Sequence, residues 1–171
     1  MGAVAPAPRI CGREAEIQAL GEALGRVAAG GPAIVLVEGE AGIGKTRPLA
    51  QVLQDARGRG MQVAAGRAEE LERTPPFGLL ASALRCIRSS ADPRRAAIAG
   101  LLAAQGAGDQ GPITVTSDPG LRFRVVDAFT DLVEELALAG PVVFGLDDLR
   151  WADPSSLLTL GALGAALTIC R

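Results

Sequence analysis

Apolar positions in this chain alternate between short continuous runs and stretches of helical period, and that order predicts an α/β arrangement. Ile17, Leu20, Leu24 and Val27 recur at helical spacing until Gly30, Gly31 and Pro32 stop the helix. Ala33 to Glu38 (AIVLVE) is a strand-length apolar run. Leu49, Val52 and Leu53 resume the helical period to about Arg57, where Gly58 and Gly60 close it. Gln62 to Ala65 predicts a short second strand, and the charged stretch GRAEELER then leads to a break at Thr74-Pro75-Pro76. Phe77 to Ile87 reads as a helix, and Asp92 with Pro93 makes an N-cap and first-turn pair for another that reaches about Ala104. From Leu121, Phe123, Val126, Phe129, Val133 and Leu136 share one helix face, with Asp127, Asp131, Glu134 and Glu135 largely opposite, until Gly140 and Pro141. Val142 to Leu146 (VVFGL) is a second continuous run, of the kind carried by a buried parallel strand. Residues 105–120, rich in Gly, Pro and Ser, are expected to form a mobile loop with a short strand at Ile113 to Thr116; a nucleotide-gated lid is its sharpest reading.

Length and composition narrow the class. A chain of 171 residues with 49% hydrophobic, 3% aromatic and 21% charged residues is globular and large enough for one core, packed mostly by aliphatic and alanine side chains. The organisation expected is a flexible leader over 1–8 and a single domain over 9–171. A net charge of −2 offers no basic surface for counterion release, so direct nucleic-acid binding is not expected. Cys11, Cys86 and Cys170 are odd in number and widely spaced in a chain with no histidine, which points away from disulfides and zinc and towards a reducing cytoplasm. The amino terminus resembles neither an export signal nor a lipidation site. Pro154 to Cys170 carries no charge, but Ser155, Ser156, Thr159 and two glycines dilute its hydrophobicity, so a buried helix is expected there and no membrane span.

Between the first apolar run and the second helix lies GEAGIGKT, Gly39 to Thr46, which satisfies the phosphate-loop pattern G-x-x-x-x-G-K-S/T in its strand-and-helix context. Glycines there let successive backbone N–H groups turn inward on an anion, and the helix that follows adds the positive end of its dipole. Gly39, Glu40, Ala41, Gly42, Ile43, Gly44, Lys45 and Thr46 are the candidate nucleotide-binding residues. Lys45 reaches for the β- and γ-phosphates, and the Thr46 hydroxyl is a candidate magnesium ligand. Lys45 is the sole lysine, the other sixteen basic residues being arginine, and it falls where a compact ammonium has a specific task. Pro48, one turn into the helix, is the awkward residue.

The run VVFGL ends in Asp147-Asp148, as a parallel strand delivering carboxylates to its C-terminal edge would. Asp147 is the candidate magnesium ligand, and Asp148, with Lys45, the candidate catalytic group, orienting or deprotonating an attacking water.

GRExEIxxL from Gly12, GEAGIGKTR in the loop and LDDLRWADPSSL after the strand, in that order, resemble the AAA-type ATPase module of the signal-transducing ATPases with numerous domains. The module is similar to that of large ATP-binding regulators of the LuxR type and of the origin-recognition-like AAA family. The resemblance covers about Arg9 to Leu158 and implies a P-loop NTPase fold, a parallel sheet flanked by helices on both faces, binding ATP or ADP with Mg2+. It also implies that Arg13, with Ile10, Cys11 and Gly12, lies near the adenine. Arg150, where relatives usually have histidine, and Phe144-Gly145, which loosens the strand, depart from the pattern. Relatives continue into a further strand with a sensor arginine, a helical lid, a winged helix and a helix-turn-helix, so a chain incomplete at the C-terminus is expected, with Ala165 to Arg171 a shortened candidate for that strand. Trp151 and Asp153 either cap and pack the following helix or join the site. The function expected is a nucleotide-dependent conformational switch with slow hydrolysis, partnered by nucleotide and by a second copy or a regulatory protein. A small-molecule phosphotransferase and a docking module with a vestigial loop are the alternatives.

Overall fold

The computed structural model describes residues 13–40, 42–70, 75–106 and 119–169. Along them run α1 (Glu14–Ala28), α2 (Thr46–Gly58), β1 (Gln62–Arg67), α3 (Gly78–Ala83), α4 (Pro93–Gly106), α5 (Pro119–Ala139), β2 (Val142–Asp147), a 3-10 turn (Leu149–Trp151) and α6 (Pro154–Ile169). β1 and β2 pair in parallel, from Gln62 opposite Val142 to Arg67 opposite Asp147. Parallel pairing puts both strand ends, and so Arg67 and Asp147, on one edge of the sheet.

Strand alternation sorts the two faces. Val63 and Val143 pack with Leu20, Leu24, Val52 and Ala56 of α1 and α2 and with Met61. Ala64, Phe144 and Leu146 turn to the larger cluster around Phe77, Leu80, Ile98, Val125, Phe129 and Leu132. Helices therefore cover both faces, as the resemblance implies, although the described sheet has two strands. Phe77 and Phe129 are fully buried with ring centroids 6.0 Å apart, and burying a side chain of this kind stabilises the fold by roughly 1.5–3 kcal/mol. Gly145 does not loosen β2. It is where α2 closes on the sheet, since a Cβ there would lie 2.5 Å from Leu53 Cδ1.

Several expectations need correction. Ala33 to Glu38 is not a strand: no backbone hydrogen bond to residues 32–38 occurs among the described residues, and Ile34 and Leu36 are largely exposed. An apolar run becomes a strand only where a neighbour supplies ladder partners; β2 has β1 on one edge and no described strand on the other. Val37 alone of the run's large side chains packs against the α1–α2 cluster. The helix expected over Phe77 to Ile87 is the six-residue α3, because Arg85, at φ 55°, turns left-handed and ends it. On α5, Phe123 is exposed, and the buried stripe is Val125, Phe129, Leu132 and Val133. Residues 165–169 continue α6 and form no strand; Arg171 and Cys170 lie outside the described residues, as do Ile113 to Thr116 and the rest of 107–118. β1 runs two residues past Ala65, to Arg67.

Other readings hold. Pro48 is the third residue of α2, within the first turn, where backbone N–H groups have few intrahelical partners, and its ring is buried. Asp92 caps α4, its Oδ1 accepting from the Arg94 N–H at 2.9 Å. Cys86 is free and buried, and burial pushes its thiol up to about 11, so it stays protonated and unreactive at neutral pH. No helix among the described residues is long and apolar enough to cross a membrane; the buried helix expected after Pro154 is only half so, since in α6 Ser155, Ser156, Thr159 and Leu163 are buried while Leu157 and Leu158 are exposed.

Candidate nucleotide site

The loop joins the apolar segment at 33–38 to α2, whose first residue is Thr46. Gly42 and Gly44 adopt φ of 80° and 88°, left-handed values open to glycine at no steric cost. Lys45 folds back over the loop, its Nζ donating to Gly39 O at 2.7 Å and Glu40 O at 2.8 Å. These carbonyls are neutral acceptors, weaker partners for an ammonium than a phosphate oxygen. The cation thus stands at the loop's mouth beside the positive end of the thirteen-residue α2. Ala41 lies outside the described residues.

Across the site, the Thr46 hydroxyl donates to Asp147 Oδ2 at 2.7 Å, joining residues 101 positions apart. The contact follows from alternation, which turns Val143, Gly145 and Asp147 to the face that α2 covers. A hydroxyl and a carboxylate side by side form a hard oxygen pair of the kind magnesium takes together with waters and nucleotide phosphates. No cluster of three or more His, Cys, Asp or Glu that could cage a metal exists among the described residues. The donor set therefore fits an ion that arrives with its nucleotide.

Asp148 follows β2 in a left-handed conformation, φ 54°, with its N–H donating to Asp147 Oδ1 at 3.0 Å. That turn sends its carboxylate away from Asp147 and onto Arg67, whose Nε and Nη2 donate to Asp148 Oδ2 at 3.0 and 2.8 Å. Arg67 was not among the residues expected at the site. It stands in a stretch that reads as solvated charge, and only the register opposite Asp147 brings it to the acidic pair.

Arg13 also reaches the loop, its Nη2 donating to Ile43 O at 2.6 Å while Nη1 lies 3.6 Å from Glu16 Oε1. α1 is thereby tied to the phosphate loop. Ile10, Cys11 and Gly12 lie outside the described residues. Trp151 is half-exposed under the Arg150 guanidinium, 5.3 Å from its ring centroid. Asp153 is the N-cap of α6 and buried, accepting the Ser156 N–H at 2.8 Å.

The chain is 28% identical over 170 residues to an uncharacterized protein of Rhizobium meliloti (strain 1021); the alignment takes in 87% of this chain and 16% of the length of that protein. No solved structure matches the chain. The family described as the AAA ATPase domain matches residues 9–169, which take in the phosphate loop, the acidic pair and nearly all of the sequence. With that match, and with a phosphate loop set against the carboxylates of a parallel strand, the chain belongs to the AAA ATPase domain family.

Proposed function

We propose that the chain is the ATP-binding core of a regulatory ATPase of the signal-transducing type, in which bound Mg-ATP or Mg-ADP sets a conformation and hydrolysis is slow. Family membership carries a nucleotide-binding ATPase core, typically with magnesium. The regulatory reading rests on the Arg67–Asp148 pair, which engages the carboxylate that would otherwise orient water. In this reading the loop N–H groups and Lys45 hold the β- and γ-phosphates, and Thr46 and Asp147 hold the magnesium. The ion, when bound, neutralises developing phosphate charge. Efficient hydrolysis also needs a free cation against the transition state; among the described residues, the guanidinium groups bonded to the loop and to the acidic pair, those of Arg13 and Arg67, are engaged with Ile43 O and Asp148. The protein acts in the cytoplasm, and its nucleotide state is read by a second copy or a regulatory protein partner.

Thermal unfolding tests nucleotide binding. Mg-ATP at a hundred times its Kd is expected to stabilise the fold by about 2.7 kcal/mol, which for a chain of this size raises Tm by roughly 5–10 °C. An unchanged Tm would favour a docking module with a vestigial loop.

The switch is tested by Arg67→Ala. Arg67 is 61% exposed in its side chain, and an exposed pair is worth up to about 1 kcal/mol. Releasing Asp148 is therefore expected to raise single-turnover hydrolysis by at most about fivefold, a gain abolished by adding Asp148→Asn. A fall in rate with Arg67→Ala would instead place Arg67 on the reacting phosphate.

A further inference from the structure

At the opposite edge of the sheet, where both strands begin, a cleft of about 320 Å³ is lined by Arg57, Arg85, Arg95 and Gln62 together with Leu84, Leu136 and Val142. Among the described residues, no acidic side chain lines it. The six-residue strands separate it from Asp147 by about 16 Å, so it is distinct from the phosphate loop.

The three guanidinium groups come from different parts of the chain. Arg57 is in the last turn of α2, Arg85 follows α3, and Arg95 is in the first turn of α4. Arg95 is held in place, its Nη1 donating to Leu84 O at 2.7 Å and its Nε to Asp92 Oδ2 at 3.0 Å, so it covers the negative end of α3. Arg57 and Arg85 have no acidic partner among the described residues. The acids nearest in sequence are not bonded to Arg57 or Arg85: Asp55 accepts from Gln51, Asp92 from Arg95 of the cleft itself, and Glu135 pairs with Arg94.

Arg85 stands where the backbone asks for glycine. The Arg85 N–H donates to Ser82 O at 3.0 Å and the Cys86 N–H to Ala81 O at 2.8 Å, the paired bonds of a Schellman helix end, with Arg85 in the left-handed position at φ 55°. Local stability favours glycine there, yet the chain carries a long cation at the mouth of a cleft. Guanidinium forks over low-dielectric walls are suited to oxyanions, whose charge they neutralise with directed donors.

We propose that this cleft is a second ligand site, which binds a small anion bearing two or more carboxylate or phosphate groups. Arg57 and Arg85 neutralise the anion and Arg95 orients it.

The test uses the full chain carrying Lys45→Ala, to silence the phosphate loop, in magnesium-free buffer of fixed ionic strength, titrated calorimetrically with citrate, pyrophosphate and acetate. At least one of the two multivalent probes is expected to bind with a Kd of about 1 mM or tighter, and acetate to bind at least tenfold more weakly. Binding of citrate alone identifies a carboxylate ligand, and binding of pyrophosphate alone a phosphorylated one. Arg57→Gln with Arg85→Gln is expected to weaken binding by about tenfold or more, whereas Arg94→Gln, paired outside the cleft, leaves it unchanged. Arg85→Gly separates binding from folding: it is expected to raise Tm by about 2–4 °C while losing as much affinity as Arg85→Gln. No binding of either multivalent probe at about 10 mM, or binding unaltered by the double substitution, would overturn the proposal.

Discussion

Replacing Asp153 with alanine is expected to destabilise the chain by about 1.5–5 kcal/mol. Asp153 is 6% exposed, and its carboxylate serves two helices at once. Its Oδ1 accepts the Ser156 N–H at 2.8 Å, capping α6, and the Phe77 N–H at 2.7 Å; its Oδ2 accepts the Leu79 N–H at 3.4 Å at the start of α3. Loss of a helix cap costs about 0.5–2 kcal/mol, and a buried N–H left without an acceptor adds about 1–3 kcal/mol. Phe77 is that buried group, and at φ 64° it holds a left-handed conformation costly for a bulky residue. The Asp153 acceptor and the stacked Phe129 ring keep it there. Asp153→Ser is expected to lose less, since serine still caps α6 but is too short for Phe77. Urea unfolding read at constant m checks this: a loss under about 1 kcal/mol for the alanine variant would show that the double cap is dispensable.

That residue also marks how far the sequence could be read. The sequence Asp153-Pro154-Ser155-Ser156 signals a helix start by local chemistry alone, and α6 begins there. The bond to Phe77 spans 76 residues and has no local signal. The same division runs through the candidate site. Gly39 to Thr46 and Asp147-Asp148 stand out because their task fixes residue types at short spacing. Their meeting, Thr46 Oγ1 on Asp147 Oδ2, is what strand alternation and a helix laid on that face produce. Arg67 was hidden because its role depends on the pairing register of β1 with β2.

Where sequence reasoning failed, a competing physical requirement prevailed. Ala33 to Glu38 has strand composition but no ladder partner among the described residues. A left-handed Arg85 closes α3 early, in a chain segment with no glycine to announce the stop. Phe123 fits the helical period yet points away from the core, because period fixes a face only to within a residue or two and the Val125, Phe129 and Leu132 stripe packs better. The charge-free run before Arg171 was read in part as a strand, although apolarity without alternation does not separate a strand from a buried helix.

Lys45→Ala is expected to produce the largest loss of function. Lys45 is the chain's only lysine, and its ammonium already rests 2.7 and 2.8 Å from two carbonyls of the loop that it would exchange for phosphate oxygens. A charge-assisted hydrogen bond contributes about 1.5–3 kcal/mol, so its removal weakens nucleotide binding by roughly 10- to 100-fold. Lys45→Arg restores the charge on a larger, planar group that a compact ammonium site accommodates poorly, and is expected to recover only part of the loss. Because Lys45, among the described residues, is bonded to the loop alone, the nucleotide-free Tm of the alanine variant is expected to stay within about 2 °C of the parent. Calorimetric titration of the parent chain and of Lys45→Ala with Mg-ATP decides the central claim. Saturable one-to-one binding by the parent, weakened at least about tenfold in the variant, is the result predicted; equal binding by both chains, or none by the parent, would contradict it.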